Sequence, residues 1–336
     1  MYVVRERVLV MDRIPSARPQ SHDHHTVPKF WLKKFADSKG FLKKFDVNSD
    51  DISGRRVHSR RATVEKDLYV LQTLDETFDV DEQKVHGPIE NRAARALAPL
   101  WDCSDLSHVW PLADQAREDV AGLLAASVMR TLKYRNHVEL AAERYLDRDD
   151  RSVAAVDLYR SGVLTGDPDT LARAAKRYGL WNKGEKAPAN LHSDYVRSEL
   201  RNLVRHLFEQ RWILMRTPDP SFVISDNPVA LIGELSETVA PSVHSVDFLS
   251  SRGSVTALSR DLLLMTDWQL PAVLAPLPHH GDMVVPYDPR RVDFMRGLLL
   301  RNADTQVFGH PDDSILESVR ERFSSSRVDD DVRRVL

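Results

Sequence analysis

Arg211-Trp212-Ile213-Leu214-Met215-Arg216, followed across a proline turn by Ser221-Phe222-Val223-Ile224-Ser225, is where the chain changes character. Both runs are short, rich in β-branched and aromatic residues and bounded by turn formers, the pattern of half-buried strands. They read as two adjacent strands. Upstream, helical periodicity dominates instead. Ile89, Ala93, Ala96, Leu97 and Leu100 recur at helical spacing behind Gly87-Pro88, a pair that starts or breaks a helix. A long core helix is expected from about Leu112 to Leu146, with Val120, Leu123, Leu124, Ser127, Val128 and Leu132 facing inward. Further helices are expected across 152–162, 168–180 and 191–210. Downstream, 254–258, 262–266 and 306–308 read as strands, and 289–302 and 313–323 as helices.

Towards the start, Pro28 followed by Phe30, Trp31, Leu32 and Phe35 predicts a short helix, because proline suits the first helical turn. Gly40 ends it. Phe41–Val47 then reads as a strand closing at Asn48-Ser49-Asp50-Asp51, and the basic run Arg55–Arg61 as the second strand of a hairpin. Lysines and arginines on an edge strand also guard against aggregation, so this run reads first as a solvated edge. Thr63-Val64-Glu65-Lys66 resembles a capping turn. The expected class is α+β: a helical core from about Val80 to Gln210 with a small, mostly antiparallel sheet built from N- and C-terminal segments. Residues 1–20 are expected to form a flexible arm, 21–323 a single α+β domain, and 324–336 a frayed tail.

The chain has 336 residues, a net charge of −3 and one cysteine, Cys103. A lone cysteine excludes a disulfide framework within one chain and a cysteine-rich zinc site. A cytoplasmic setting without a membrane segment is expected, since no long uncharged apolar span or signal-peptide pattern is present. Net charge gives no sign of nucleic-acid binding, so such a partner would need a local basic surface. No phosphate-binding Gly-x-x-x-x-Gly-Lys loop, dinucleotide Gly-x-Gly-x-x-Gly loop or Gly-x-Ser-x-Gly elbow occurs.

The densest cluster of reactive side chains is His22-Asp23-His24-His25, immediately before the Pro28 helix. His24 and His25, with Asp226 from elsewhere, form a candidate set for a divalent metal whose identity the sequence does not fix; metal-bound water would supply a nucleophile near neutral pH. Alternatively, His25 buttresses the helix. Ser225-Asp226-Asn227-Pro228 sits at a strand end, where Asp226 is a candidate general base and Ser225 and Asn227 candidate substrate contacts. It is equally a turn, because Asp and Asn bond nearby backbone and proline restricts the residue before it. Glu90 and Arg130 are candidates to assist at the catalytic centre or to form a structural ion pair. Arg197, Arg201 and Arg205 form a helical stripe suited to phosphates or to solvent. His279-His280-Gly281-Asp282 reads as a loop or a secondary metal site.

His24-His25-Thr26-Val27-Pro28-Lys29-Phe30-Trp31-Leu32-Lys33-Lys34-Phe35, Leu68-Tyr69, Ile89-Glu90, Arg130-Thr131, Trp212 and Ile224-Ser225-Asp226-Asn227-Pro228-Val229 occur in an order that resembles the domain of unknown function 4238 family. Its members open with a His-aromatic-Val-Pro-x-x-x-Leu-x-x-Phe element and carry Ser-Asp-Asn-Pro after a Trp-containing strand. Thr26 departs from the aromatic residue common at its position. The resemblance spans about Ser21 to Phe323 and implies no reaction. From the residues themselves, the first expectation is a metal-dependent hydrolase, with a nuclease in a defence or toxin role as its narrower form, acting on nucleic acid or another anionic substrate. The second is a non-catalytic ligand- or protein-binding module.

Overall fold

The core is organised around a helix that is buried on almost every side. In the computed structural model, which describes residues 23–47, 54–66, 70–72, 77–79, 86–131, 134, 200–232, 251–267 and 281–313, this helix, α3, spans Asp114–Met129. Val120, Ala121, Leu123, Leu124, Ala125 and Met129 are all fully buried. It packs against α2 (Gly87–Asp102). The inward face of α2 is Ile89, Ala93, Leu97 and Leu100, as the periodicity requires.

The long helix expected to reach Leu146 ends instead at Met129. The Thr131 hydroxyl donates to the Val128 carbonyl and accepts from the Tyr134 amide. A side chain that bonds nearby backbone in this way competes with the helical ladder and closes the helix. Expected features at 152–162, 168–180, 191–199 and 314–323 lie outside the described residues. A further helix, α4, covers 200–209.

Two sheets form in place of one. The first has five strands in the order β12-β7-β11-β10-β9, with β7 (Arg211–Arg216), β9 (Val229–Ile232), β10 (Gly253–Ala257), β11 (Leu262–Asp267) and β12 (Met283–Val285). It is antiparallel except where β12 runs parallel to β7. All five residues of β10 are buried, so this sheet is covered on both faces. Both α3 and α5 (Pro289–Arg301) touch it.

The second sheet has the order β3-β2-β13-β8, all antiparallel, with β2 (Phe41–Asp46), β3 (Arg55–His58), β8 (Ile224–Ser225) and β13 (Gln306–Gly309). This is the sheet assembled from both ends of the chain. The hairpin of β2 and β3 matches the sequence reading, with β3 at the edge. A two-stranded pair joins β1 (Asp23–His25) to β4 (Val64–Lys66), and another joins β5 (Val70–Gln72) to β6 (Thr77–Asp79).

Two local expectations change. Thr63-Val64-Glu65-Lys66 is not a capping turn: Thr63 takes a left-handed φ of 56° and the next residues enter β4. The two runs read as adjacent strands fall in different sheets. Between them the Thr217 amide bonds the Asp261 carbonyl, and the Ser221 and Phe222 amides bond that of Arg260. These bonds hold the chain against the turn joining β10 to β11, so it passes to the second sheet rather than folding back.

Gly253 opens β10, and a Cβ there would stand 2.0 Å from the Thr266 carbonyl oxygen. The Gly253→Ala protein is therefore expected to lose about 2–3 kcal/mol of stability, the upper range for forcing atoms into a packed interior. Urea denaturation measures it, and a loss within error of zero would show that the two strands can part freely.

Candidate functional site

The residues singled out by the N-terminal pattern do anchoring work. Val27, Trp31, Leu32 and Phe35 are fully buried, and the Trp31 indole Nε1 donates to the Ala257 carbonyl at 2.9 Å, docking α1 (Lys29–Leu32) on the end of β10. The next tryptophan contact is similar, Trp101 Nε1 donating to the Leu258 carbonyl at 3.2 Å. His25 is buried and its Nε2 donates to the Arg60 carbonyl at 3.1 Å. Thr26 and Val27 bond Thr63. The histidine therefore ties β1 to the turn after β3; α1 takes no side-chain cap. His24 lies in the middle of β1, opposite Glu65.

Ser225-Asp226-Asn227-Pro228 forms a staple between elements. The Asp226 carboxylate accepts from the amides of Asp304, Thr305 and Gln306 at 2.9, 2.7 and 2.9 Å, and from the Thr305 hydroxyl at 2.7 Å. Four donors occupy most of the lone-pair directions of one carboxylate. The Ser225 hydroxyl donates to the Asn227 carbonyl, and Asn302 donates to the carbonyls of Asn227 and Val229. Asn227 in turn donates to Asn302 Oδ1. The motif thus fixes β8, β9, the end of α5 and the entry to β13. Sequence reasoning weighed a turn here and had no means of finding Asn302 or residues 304–306.

His25 and Asp226 belong to separate strand pairs, β1 with β4 and β8 with β13. Among the described residues no group of three or more His, Cys, Asp or Glu is placed to hold a metal. Glu90 and Arg130 do meet: Arg130 Nη1 donates to Glu90 Oε1 at 2.7 Å, joining α2 to the end of α3. Of the arginine stripe, Arg201 and Arg205 are exposed on α4, and Arg205 pairs with Glu209 one turn on. That pair raises the Arg205 pKa. Arg197 lies outside the described residues. Burial lowers the pKa of the neighbouring His206.

Among the described residues, the most heavily buried charge pair was not anticipated. Arg117 on α3 bonds Asp282, with both side chains almost wholly sequestered. Its guanidinium also donates to the Phe208 carbonyl at 2.9 Å and to that of Gln210, and lies 4.4 Å from the Trp212 ring centroid. Asp282 accepts in addition from the Trp212 amide at 2.8 Å. Burial pulls the Arg117 pKa down while Asp282 opposes the shift. This constellation knits α3, α4, β7 and the approach to β12.

The described cations concentrate on the N-terminal elements. Residues 23–47 and 54–66 carry eleven Lys and Arg against four Asp and Glu, in a chain whose net charge is −3. Lys29, Lys33, Lys39, Arg55, Arg56, Arg60 and Arg61 are exposed. The β2–β3 register sets Lys43 opposite Arg56 and Lys44 opposite Arg55, two consecutive rungs of like charge. Such pairs are unfavourable in an antiparallel ladder. Asp37 relieves one of them: its Oδ1 accepts from the amides of Lys39 and Phe41, and its Oδ2 pairs with Arg56. The Phe41 amide, with help from Arg56 and the Lys39 amide, holds the Asp37 carboxyl below its ordinary pKa.

The family model described as protein of unknown function, DUF4238, matches residues 23–313. The chain belongs to the DUF4238 family. No curated protein and no solved structure matches it. In this DUF4238 chain, the Val-Pro helix and the Ser-Asp-Asn-Pro segment both secure one element to another. Among the described residues, no helix is long and apolar enough to cross a membrane.

Proposed function

We propose that this DUF4238 protein is a binding module for an anionic polymer, which it takes on the basic surface of its N-terminal elements. One observation carries the reading: the two like-charged rungs, Lys43–Arg56 and Lys44–Arg55, on the edge hairpin of an acidic chain. Opposed cations cost stability that a bound polyanion returns, because phosphates between them replace repulsion with attraction and release counterions. The anion candidates on α4 support it less, since Arg205 is matched by Glu209.

The test is fluorescence anisotropy with labelled oligonucleotides and inorganic polyphosphate across a salt series. Changing Lys43, Lys44, Arg55 and Arg56 together to glutamine is expected to weaken binding by tenfold or more and to flatten the log–log salt slope by about 3, from roughly 0.7 per neutralised phosphate on a single strand. Arg201→Gln with Arg205→Gln should leave both unchanged. Unaltered binding by the hairpin variant sinks the proposal.

The second reading is a metal-dependent hydrolase, a nuclease in particular, centred on His24 and His25. What favours it is the hydrogen bond from His25 Nε2 to the Arg60 carbonyl, which sets the ring in the tautomer with its proton on Nε2. Metal-bound imidazoles are commonly oriented by such a carbonyl. Metal analysis of the purified protein, with nuclease assays on wild type, His25→Ala and Asp226→Ala, tests it. Equal turnover by all three removes His25 and Asp226 from the mechanism.

A further inference from the structure

Arg56 sits over the Phe41 ring, its guanidinium carbon 4.4 Å from the ring centroid. The arrangement is braced from three sides. Asp37 pairs with the guanidinium, and its carboxylate is itself pinned by the Lys39 and Phe41 amides. His58, opposite Phe41 in the ladder, meets that ring edge-on at 5.2 Å and steadies it from β3. Gly40, at a φ of 82°, packs on His58 where a Cβ would approach its ring to 3.1 Å. Yet the Arg56 side chain is 56% exposed, so the cation that rests over Phe41 remains accessible from solvent.

A guanidinium plane fixed in this way is a stacking surface. Planar heteroaromatic rings stack on arginine as they do on aromatic side chains, and arginine adds a cation–π term. Lys43 stands directly opposite on the same face of the hairpin, suited to phosphate, while Arg55 and Lys44 on the next rung project from the other face. A flat cation beside a point charge matches a polymer that alternates bases with phosphates. The bases of a duplex are already stacked on one another, so only unpaired bases can use the platform.

We infer that the anionic polymer is single-stranded nucleic acid, with one base stacked on Arg56 and a flanking phosphate held by Lys43. This rests on the binding-module reading and narrows it.

The experiment compares full-length wild type, Arg56→Lys and Lys43→Gln in anisotropy titrations. The probes are single-stranded RNA, single-stranded DNA, an abasic phosphodiester strand of equal length, and the corresponding DNA duplex. Wild type is expected to bind base-bearing single strands at least about fivefold tighter than the abasic strand, the lower end of the roughly 5- to 150-fold range of one stacked base. Arg56→Lys keeps the charge but loses the plane, and should reduce that ratio to near one while binding the abasic strand as before. Lys43→Gln should weaken binding to base-bearing and abasic strands by the same factor and leave the ratio intact. Preference for RNA or for DNA fits equally and identifies the source of the strand. Equal wild-type affinity for base-bearing and abasic strands, tighter binding of the duplex, or an unchanged ratio in Arg56→Lys overturns the inference while the polyanion reading stands. Failure to bind any of the four probes overturns both. Circular dichroism checks that the variants are folded, which the exposure of Arg56 leads one to expect.

Discussion

Replacing Arg117 with methionine is expected to lower the unfolding free energy by about 3–5 kcal/mol, the usual cost of removing one partner of a buried ion pair. Methionine fills much of the same volume, so little of the loss would come from a cavity. What remains is Asp282, wholly buried, its cationic partner gone while the Trp212 amide still donates to it. The carbonyls of Phe208 and Gln210 lose their guanidinium donors at the same time. The variant paired with Asp282→Asn should recover part of the loss, since the neutral amide is less costly to bury and can itself donate. Urea denaturation of the single and double variants measures this. A single variant as stable as wild type would mean that the pair contributes nothing at the junction of α3, α4 and β7.

Asp226→Ala is expected to cost about 3–4 kcal/mol, because charge-assisted hydrogen bonds are worth about 1.5–3 kcal/mol each and several are lost together. The amides of Asp304, Thr305 and Gln306 would lose their acceptor just where the chain leaves α5 and enters β13. Asp226→Asn should fall between the two, since one amide oxygen can still accept. The same substitutions separate structure from chemistry. A catalytic or metal-binding carboxylate is commonly replaced with little loss of stability. A staple fails in the opposite way, so an Asp226→Ala protein with wild-type denaturation and altered activity would contradict the structural role described for it.

Local signals in the sequence disclose part of this fold. The hairpin of β2 and β3 was legible from Phe41–Val47 and Arg55–Arg61, because alternation and turn residues are such signals. Once that pairing is accepted, the opposition of Lys43 with Arg56 and of Lys44 with Arg55 is a matter of register alone. The inward face of α2 and that of α3 were legible for the same local reason. The end of α3 was not, since Thr131 terminates it through two hydrogen bonds that no periodicity displays.

Long-range partners were out of reach. Asp226 reads as a turn or a ligand until residues 304–306 are seen around it. Arg117 lies one turn before Val120 and Ala121 with nothing in its neighbourhood to mark it as buried; its partner is 165 residues away. Density of histidines did not disclose the contact His25 makes, for a comparable reason. The bond His25 makes is to a backbone carbonyl, and every residue type supplies one. Its neighbours Val27, Trp31, Leu32 and Phe35 announced burial plainly, yet only the fold shows that they seat α1 against β10.

Both resemblance-bearing motifs hold elements together, and the basic hairpin stands apart from them on the outer edge of the second sheet. The most direct test of that division is an NMR titration of isotope-labelled protein with a short single-stranded oligonucleotide. The predicted result is amide shift changes confined to Asp37, Phe41–Lys44, Arg55–His58 and the Arg60-Arg61 turn, with Asp226, Asn227 and Asn302 unmoved. Shift changes centred on His25 or Asp226, with the β2–β3 hairpin silent, would contradict it.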